Sequence, residues 1–198
     1  MSRVRILAGR WKGRSLQVPA GARPTSGRAR EGVFSMLQET LPGMRVLDLY
    51  AGSGAFGLEA VSRGASSAVL VEQHASAIDR SFELLGSPPE VEILRGDVEE
   101  ALNFLARRGD RFDLVFSDPP YALSRRQAFP AAALALVSPG GLLLAQVDRP
   151  RESLAEPDGW TLLKRRDYGR NVFLFLAPAA SRMDLTVPEG FDHRNGKC

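Results

Sequence analysis

Residues 118–121 have the types and spacing that chemistry on a planar amine requires. Asp118 and Tyr121 flank two prolines, Pro119 and Pro120. Proline has a carbonyl but no amide hydrogen, so this segment is rich in hydrogen-bond acceptors. The Asp118 carboxylate and the Pro119 carbonyl could hold both hydrogens of an exocyclic amine, while the Tyr121 ring stacks on the attached base. The segment therefore predicts a slot for a nucleobase amino group.

The lone pair of such an amine is delocalised into the base ring, and gripping both N–H groups can turn it towards an electrophile. As the new bond forms, the nitrogen gains positive charge, which nearby acceptors stabilise. The sequence leaves open whether Asp118 takes the departing proton or holds the amine while water takes it. An amine in structured nucleic acid becomes reachable when its base is unpaired or flipped.

A glycine-rich turn, Gly52-x-Gly54-x-x-Gly57, indicates a nucleoside cofactor. It follows an apolar strand-like run, and Glu72 lies twenty residues after Gly52 at the end of the next such run. This spacing matches the fingerprint in which an acid binds ribose hydroxyls. Asp48, four residues before Gly52, would repel a pyrophosphate and favours a cation. S-adenosylmethionine, which carries a sulfonium and an ammonium and no phosphate, is the predicted cofactor.

Four acids, Asp48, Glu72, Asp97 and Asp118, each stand at the end of a predicted strand. Open α/β sheets bind ligands at the carboxyl ends of their strands, so the four should share one rim. Asp97 is placed to accept the adenine amino group. The predicted cofactor-binding residues are Asp48, Tyr50, Ala51, Gly52, Ser53, Gly54, Glu72, Gln73, Asp97 and Val98.

The N-terminal 30 residues carry eight Lys or Arg and no acid, a charge of +8, while the rest of the chain, at −5, brings the total to +3. A basic segment on a mildly acidic body favours a polyanionic partner, because neutralising phosphates is the main sequence-independent source of nucleic-acid affinity. The residues predicted to contact RNA are Arg10, Lys12, Arg14, Arg23, Arg28 and Arg30.

Hydrophobic periodicity predicts the elements that position these groups. Residues 3–7 and 15–18 predict a hairpin, and a helix should follow Ser26. Further along, predicted strands alternate with predicted helices. The strands are at 46–49, 67–72, 91–95, 112–117 and 141–147, and the helices are at 56–63, 75–85, 98–107 and 125–137. Two last strands, 160–166 and 171–176, form a closing hairpin.

This rhythm indicates a Rossmann-like, doubly wound α/β fold with a mostly parallel seven-stranded sheet, an antiparallel C-terminal hairpin and a small N-terminal hairpin and helix. We expect a basic extension over residues 1–42, a cofactor-binding domain over 43–178 and an irregular tail over 179–198.

Composition excludes several classes of protein. Apolar residues at 44% and charged residues at 25% exclude wholesale disorder and fibrous structure. The longest apolar run, residues 131–137, is too short to cross a bilayer, and the N-terminus lacks the apolar core of a secretory signal. Cys198 is the sole cysteine, which excludes an internal disulfide or a thiolate zinc site. We expect a cytoplasmic monomer with no membrane partner and no metal.

The chain resembles class I S-adenosylmethionine-dependent methyltransferases and, among them, the RsmD family of bacterial 16S rRNA guanine-N2 methyltransferases. The glycine turn and residues 118–121 are common to many methyltransferases. The specific elements are residues 5–9 with 12–16, then 23–25 and 28–34, in that order before DLYAGSGAFGLEA at 48–60. The resemblance covers about residues 5–176.

The resemblance implies methyl transfer to N2 of a guanine in 16S rRNA, at guanine 966. It also implies that arginines of the basic segment contact that RNA, free or in the assembling small subunit, and that residues 118–121 form the catalytic loop.

Other functions remain open from the residues alone. An acid before Pro-Pro-aromatic also suits adenine-N6 and glutamine-N5 methylation, and a basic segment does not exclude DNA. The match to GxGxxG leaves an NAD(P)-dependent oxidoreductase as an alternative. A catalytically silent RNA-binding module is a further one.

Overall fold

The computed structural model describes residues 3–19, 21, 25–120, 130–148, 158–169 and 171–179. In chain order the elements are β1 (Arg3–Arg5), β2 (Ser15–Gln17), α1 (Gly27–Leu37), β3 (Arg45–Leu49), α2 (Ala55–Ser62), β4 (Ser67–Glu72), α3 (Ser76–Leu84), β5 (Val91–Arg95), α4 (Val98–Arg108), β6 (Phe112–Ser117), a 3-10 helix (Ala131–Leu136), β7 (Val137–Asp148), β8 (Trp160–Tyr168) and β9 (Asn171–Pro178).

Seven strands form one sheet in the order β5-β4-β3-β6-β7-β9-β8, and β1 and β2 form a separate antiparallel hairpin. The first five strands of the sheet are parallel, whereas β9 pairs antiparallel with both β7 and β8. The chain winds outward from β3 through β4 to β5, then returns to lay β6 and β7 on the other side of β3. The predicted fold class is confirmed, and the switch point between β3 and β6 is where such sheets bind ligands.

Apolar side chains leave the sheet on both faces and form two cores. Along β3, Val46 enters one core and Leu47 the other, as expected where successive side chains alternate. The core on one face holds α2 together with the N-terminal hairpin and α1, which contribute Leu16 and Phe34 among others. The core on the opposite face includes Leu105 of α4. The basic N-terminal segment is thus packed into the body of the protein.

The prediction of a helix at 125–137 is wrong for its described part. Residues 131–136 form a 3-10 helix, Val137 already belongs to β7, and residues 121–129 lie outside the described residues. Pro130 is extended, so only six residues separate it from Val137, which pairs with Phe112 of β6. A segment of that length gains little from α-helical hydrogen bonds, and the residue after it, Val137, pairs with β6 as part of a strand. Among the helices of the described residues, none combines the length and the apolar character needed to traverse a lipid bilayer.

Candidate active site

A cavity of about 800 Å³ opens at the carboxyl edge of the parallel strands, around the switch point. Its walls come from the segments that follow β3, β4, β5 and β6 and from the N-terminal segment. The four acids predicted to share this rim all line it. So do the other predicted cofactor residues apart from Gly54, namely Tyr50, Ala51, Gly52, Ser53, Gln73 and Val98. Their roles remain predictions, but the structure brings them to one place.

The glycine turn is held by Glu72. The Gly52 amide donates to Glu72 Oε2 at 2.7 Å, and the His74 amide donates to Oε1 at 2.8 Å. Gly52 has φ of +59° and Gly54, which begins α2, has φ of +74°, so the turn needs the left-handed backbone that glycine adopts easily. Each carboxylate oxygen has a second lone pair, so Glu72 can hold the turn and still accept hydroxyls of a ligand.

Asp48 is a buried carboxylate with one committed oxygen. Its Oδ2 accepts the Gly57 amide at 2.9 Å, whereas Oδ1 has no hydrogen-bond partner among the described residues. Burial raises the pKa of Asp48 to about 8, helped by the charges of Asp118 and Glu72. The close packing of α2 on β4 depends on Gly57, because a Cβ at this position would lie 2.1 Å from Leu70 Cδ2. A cationic ligand group would satisfy Oδ1 and stabilise the ionised form.

Arg30, which the sequence predicts to contact RNA, is buried and does not lie on an exposed basic surface. Its side chain is 2% exposed. Its Nε donates to Glu59 Oε2 at 2.7 Å, and its Nη2 donates to the Arg5 carbonyl. Arg63 binds the other oxygen of the same Glu59. The remaining nitrogen of Arg30, Nη1, is buried without a partner among the described residues, and Arg30 lines the cavity. The helix therefore delivers a positive charge to the cavity wall, which the sequence pattern gave no means of predicting.

Tyr50 and Asp97 occupy the side of the cavity formed by β3 and β5. Burial raises the pKa of the half-buried Tyr50, and the charges of Asp97 and Glu99 raise it further, so these groups lie near one another. Asp97 also caps α4, since its Oδ1 accepts the Glu99 amide at 2.7 Å and the Glu100 amide at 3.4 Å. The sequence contains the signal for this second role, an acid three residues before a glutamate at a helix start.

The candidate catalytic segment lies at the end of β6. Asp118, Pro119 and Pro120 line the cavity, and Tyr121 lies outside the described residues. Asp118 is half-buried, and the Thr25 hydroxyl oxygen lies 3.0 Å from its Oδ2. Thr25 also lines the cavity, a place that no local sequence pattern indicates.

Three stacked phenylalanines join the N-terminal helix to the floor of the cavity. Phe34 of α1 stacks on Phe56 of α2 with ring centroids 4.7 Å apart, and Phe56 stacks on Phe116 of β6 at 3.8 Å. Phe56 and Phe116 line the cavity. This stack fixes α1, which carries Arg30 and directly follows Thr25, against β6, the strand that precedes Asp118.

Four of the other residues predicted to contact RNA lie outside the cavity lining. Arg10, Lys12, Arg14 and Arg28 are exposed, and Arg23 lies outside the described residues. Arg10 pairs with Glu90 and lies over the Trp11 ring, 4.1 Å from its centroid. The structure thus separates exposed basic residues of the extension from the buried Arg30.

The parallel sheet with its reversed strand order, the glycine turn and the rim of acids define the class I methyltransferase fold. The chain belongs to the family described as "Conserved hypothetical protein 95", whose profile matches residues 4–177. The resemblance to the RsmD family is confirmed.

Named relatives agree with that placement. Ribosomal RNA small subunit methyltransferase D of Haemophilus influenzae is 32% identical over 180 residues, covering 84% of this chain and 89% of that protein. The protein of the same name from Escherichia coli K12 is 38% identical over 124 residues, 60% of each chain. The solved structure of a hypothetical protein from Thermus thermophilus superposes with a TM-score of 0.74 at 36% identity, covering 88% of this chain and 99% of that one.

Proposed function

We propose that this protein transfers a methyl group from S-adenosylmethionine to the exocyclic N2 of a guanine in 16S rRNA, at guanine 966. The observation that carries the proposal is a single cavity in which the buried carboxylate Asp48 lies near the acceptor-rich segment that begins at Asp118. The first group suits a cationic methyl donor, and the second suits an amino group. The names of the relatives support rRNA of the small subunit as the substrate.

The buried polar atoms of the cavity fit an amino-acid moiety. Asp48 Oδ1 and Arg30 Nη1 both lack a hydrogen-bond partner among the described residues, and both residues line the cavity. An ammonium held by Asp48 and a carboxylate held by Arg30 would satisfy them, and buried polar groups are costly when left unpaired. S-adenosylmethionine has both groups and supplies an electrophilic methyl on a sulfonium that leaves as a neutral thioether.

The remaining cofactor residues would hold the nucleoside. Glu72 would accept the ribose hydroxyls, and Asp97 would accept the adenine amino group beside Val98, with the Tyr50 ring against the base. A dinucleotide pyrophosphate at the glycine turn would instead lie beside Asp48, a buried acid that offers it no positive charge. The oxidoreductase alternative therefore loses its support, since the turn was its sole basis.

The reacting amine would be gripped by the segment after β6. The Asp118 carboxylate and the Pro119 carbonyl would each accept one of its hydrogens, which reduces delocalisation of the nitrogen lone pair into the ring and directs it at the incoming methyl group. The positive charge that develops on nitrogen is stabilised by the adjacent carboxylate. The proton then leaves to Asp118 or to water held by it, and Tyr121 stacks on the flipped purine.

Exposed basic residues of the extension, residues 1–42, would bind the RNA backbone. Arg10, Lys12, Arg14 and Arg28 are on the surface, and Arg23 is proposed to join them on charge alone. Phosphate contacts of this kind orient the RNA without reading its sequence, so contacts within the cavity would determine which base is methylated.

The test is transfer of labelled methyl from S-adenosylmethionine to small-subunit particles, naked 16S rRNA and DNA, all from cells that lack this protein. We expect label in the particles or the rRNA and none in DNA, and mass spectrometry should identify N2-methylguanine. N6-methyladenine in the same digest would support the alternative acceptor. Label in none of the three substrates, with the protein folded and the cofactor bound, would contradict the proposed function.

A further inference from the structure

We infer that Thr25, together with Gln146, is a positioning residue that sets the orientation of the Asp118 carboxylate for the amine. The inference rests on the proposed function, because it gives Asp118 a substrate to face. Thr25 Oγ1 lies 3.0 Å from Asp118 Oδ2 and 2.9 Å from Gln146 Oε1. The three residues come from the N-terminal segment, the segment that follows β6 and the C-terminal part of β7. Asp118 and Gln146 are 93 and 121 positions from Thr25 along the chain.

Proton accounting orders these three groups into a chain. A hydroxyl has one hydrogen and cannot donate to two oxygens at once. A hydrogen bond to a carboxylate is the stronger, so the Thr25 hydrogen goes to Asp118 Oδ2. A half-turn of the Gln146 amide exchanges its oxygen and nitrogen, and its Nε2 then donates to Thr25 Oγ1. With the Gln146 amide turned in this way, the direction of both hydrogen bonds follows.

Gln146 is a buried polar side chain that directly follows the apolar run 142–145 of β7. Its side chain is 5% exposed and follows Ala145, which pairs with Ser117 of β6. A buried amide is unfavourable without hydrogen-bond partners, and Thr25 provides one. Gln146 thus follows the last paired position of β7 on β6 as Asp118 follows the end of β6, and its amide supports the Thr25 hydroxyl that holds Asp118.

Thr25 is itself held in place by the helix that it precedes. Ser26 caps α1 by accepting the Ala29 amide at 3.2 Å, and α1 is fixed to the sheet by the stacking of Phe34 on Phe56. The hydroxyl of Thr25 is therefore a rigid reference point for a side chain that ends a strand and enters a loop. Preorganised groups of this kind favour the transition state because no reorientation is needed during reaction.

The test compares Thr25→Val, which has the same shape and no hydroxyl, with Thr25→Ser, which keeps the hydroxyl. We expect Thr25→Val to lower kcat by about tenfold or more, the scale of a hydrogen bond to a charged group. KM for RNA and the Kd for S-adenosylmethionine by calorimetry should change less than about twofold. Thr25→Ser should retain kcat within about threefold of the wild type. Gln146→Leu should lower kcat, and adding it to Thr25→Val should cost little more, since the two act as one unit.

Ser26→Ala is the matched control, because it removes the cap of α1 without touching Asp118. If destabilisation of α1 alone explained the loss, Ser26→Ala would reproduce it at an equal drop in Tm. The inference is overturned if Thr25→Val keeps the kcat of the wild type, or if Ser26→Ala and Thr25→Val lose activity alike. An inactive wild-type protein with bound cofactor contradicts the proposed function instead, so the two failures are distinguishable.

Discussion

Asp48 is a proposed binding residue whose ionised form is unfavourable in the folded protein without a ligand. The carboxylate is removed from water and faces two further acids, so it favours its protonated form until a cation arrives. A binding residue of this kind is recognised by its burial and its unpaired oxygen, which only the structure reveals. Its presence in the sequence, four residues before a glycine turn, indicated only the sign of the ligand.

The raised pKa of Asp48 predicts a pH-dependent stability of the ligand-free protein. Its pKa lies near 3.8 in an unfolded chain and about 8 in the fold, so the folded state keeps the proton between these values. The stability that this contributes is present at low pH and is lost as the pH rises through about 8. Relative to Asp48→Asn, the wild type should be more stable at about pH 5 than at about pH 8, by about 1 kcal/mol or more.

Urea unfolding of both proteins at the two pH values measures this difference, and the titration of groups remote from Asp48 cancels between them. An equal gap between wild type and Asp48→Asn at both pH values would contradict the assignment of a raised pKa.

Asp97 combines two functions that a suitable substitution can separate. Asparagine caps helices as well as aspartate does, so Asp97→Asn should keep the start of α4 and the Tm. With its oxygen on the Glu99 amide, the asparagine presents an amide donor to the adenine amino group, and we expect the Kd for S-adenosylmethionine to rise about tenfold. Asp97→Ala should show the same loss and also about 1 kcal/mol of destabilisation.

Thermal melting and calorimetry distinguish these outcomes. RNA affinity should be unchanged in both variants, because we propose that Asp97 contacts the cofactor and that the basic extension contacts the RNA. Unaltered cofactor binding by Asp97→Asn would exclude the adenine contact and leave Asp97 as a cap alone.

At the scale of elements, the first helix has two roles at neighbouring positions. Arg28 is exposed on α1, whereas Arg30, two residues later, is buried in the pair with Glu59. Two residues along a helix turn a side chain through more than half a circle, so one arginine faces solvent and the other faces the cavity. Both looked alike in the sequence because charge alone does not indicate which face of a helix docks.

The two arginines should therefore fail differently when they are replaced. Arg28→Ala should weaken RNA binding and reduce the slope of log K against log salt by about 1, with no change in Tm or in cofactor affinity. Arg30→Met should lower Tm and cofactor affinity, because it breaks a buried ion pair and removes the charge from the cavity.

Filter binding over a series of salt concentrations, with melting curves for each variant, tests this division. Identical defects in the two variants would contradict the separation of a surface that binds RNA from a helix face that serves the cavity.

The strands could be predicted from the sequence because burial on both faces of a parallel sheet produces plain apolar runs. β4, β5 and β6 begin and end where the sequence predicts. The structure of residues 131–137 could not be predicted, because alanine and leucine suit several conformations. Val137 joins a strand because it pairs with Phe112. The acids of the rim follow from strand ends, whereas the places of Thr25 and Arg30 depend on how α1 docks, which no local pattern encodes.

At the scale of the whole molecule, the extension belongs to the core as much as to the surface. Val4, Ile6, Leu16 and Val18 are buried in the same core as Phe56 of α2. Val18 also lines the cavity, so one short segment has an apolar face on the body and basic residues on its solvent side. The basic extension and the predicted cofactor domain therefore share one core and are not independent folding units.

Deleting residues 1–18 should accordingly destabilise the protein and not merely release it from RNA. Burying one aliphatic side chain contributes about 1.5–3 kcal/mol, so losing four should lower Tm strongly and weaken S-adenosylmethionine binding at the wall that Val18 completes. The matched variant replaces Arg10, Lys12 and Arg14 by serine and leaves the apolar residues in place. It should bind the cofactor normally and lose RNA affinity with a reduced salt slope, since it removes charge alone. A truncated protein that keeps the Tm and the cofactor affinity of the full chain would show instead that the hairpin is a separable RNA-binding arm.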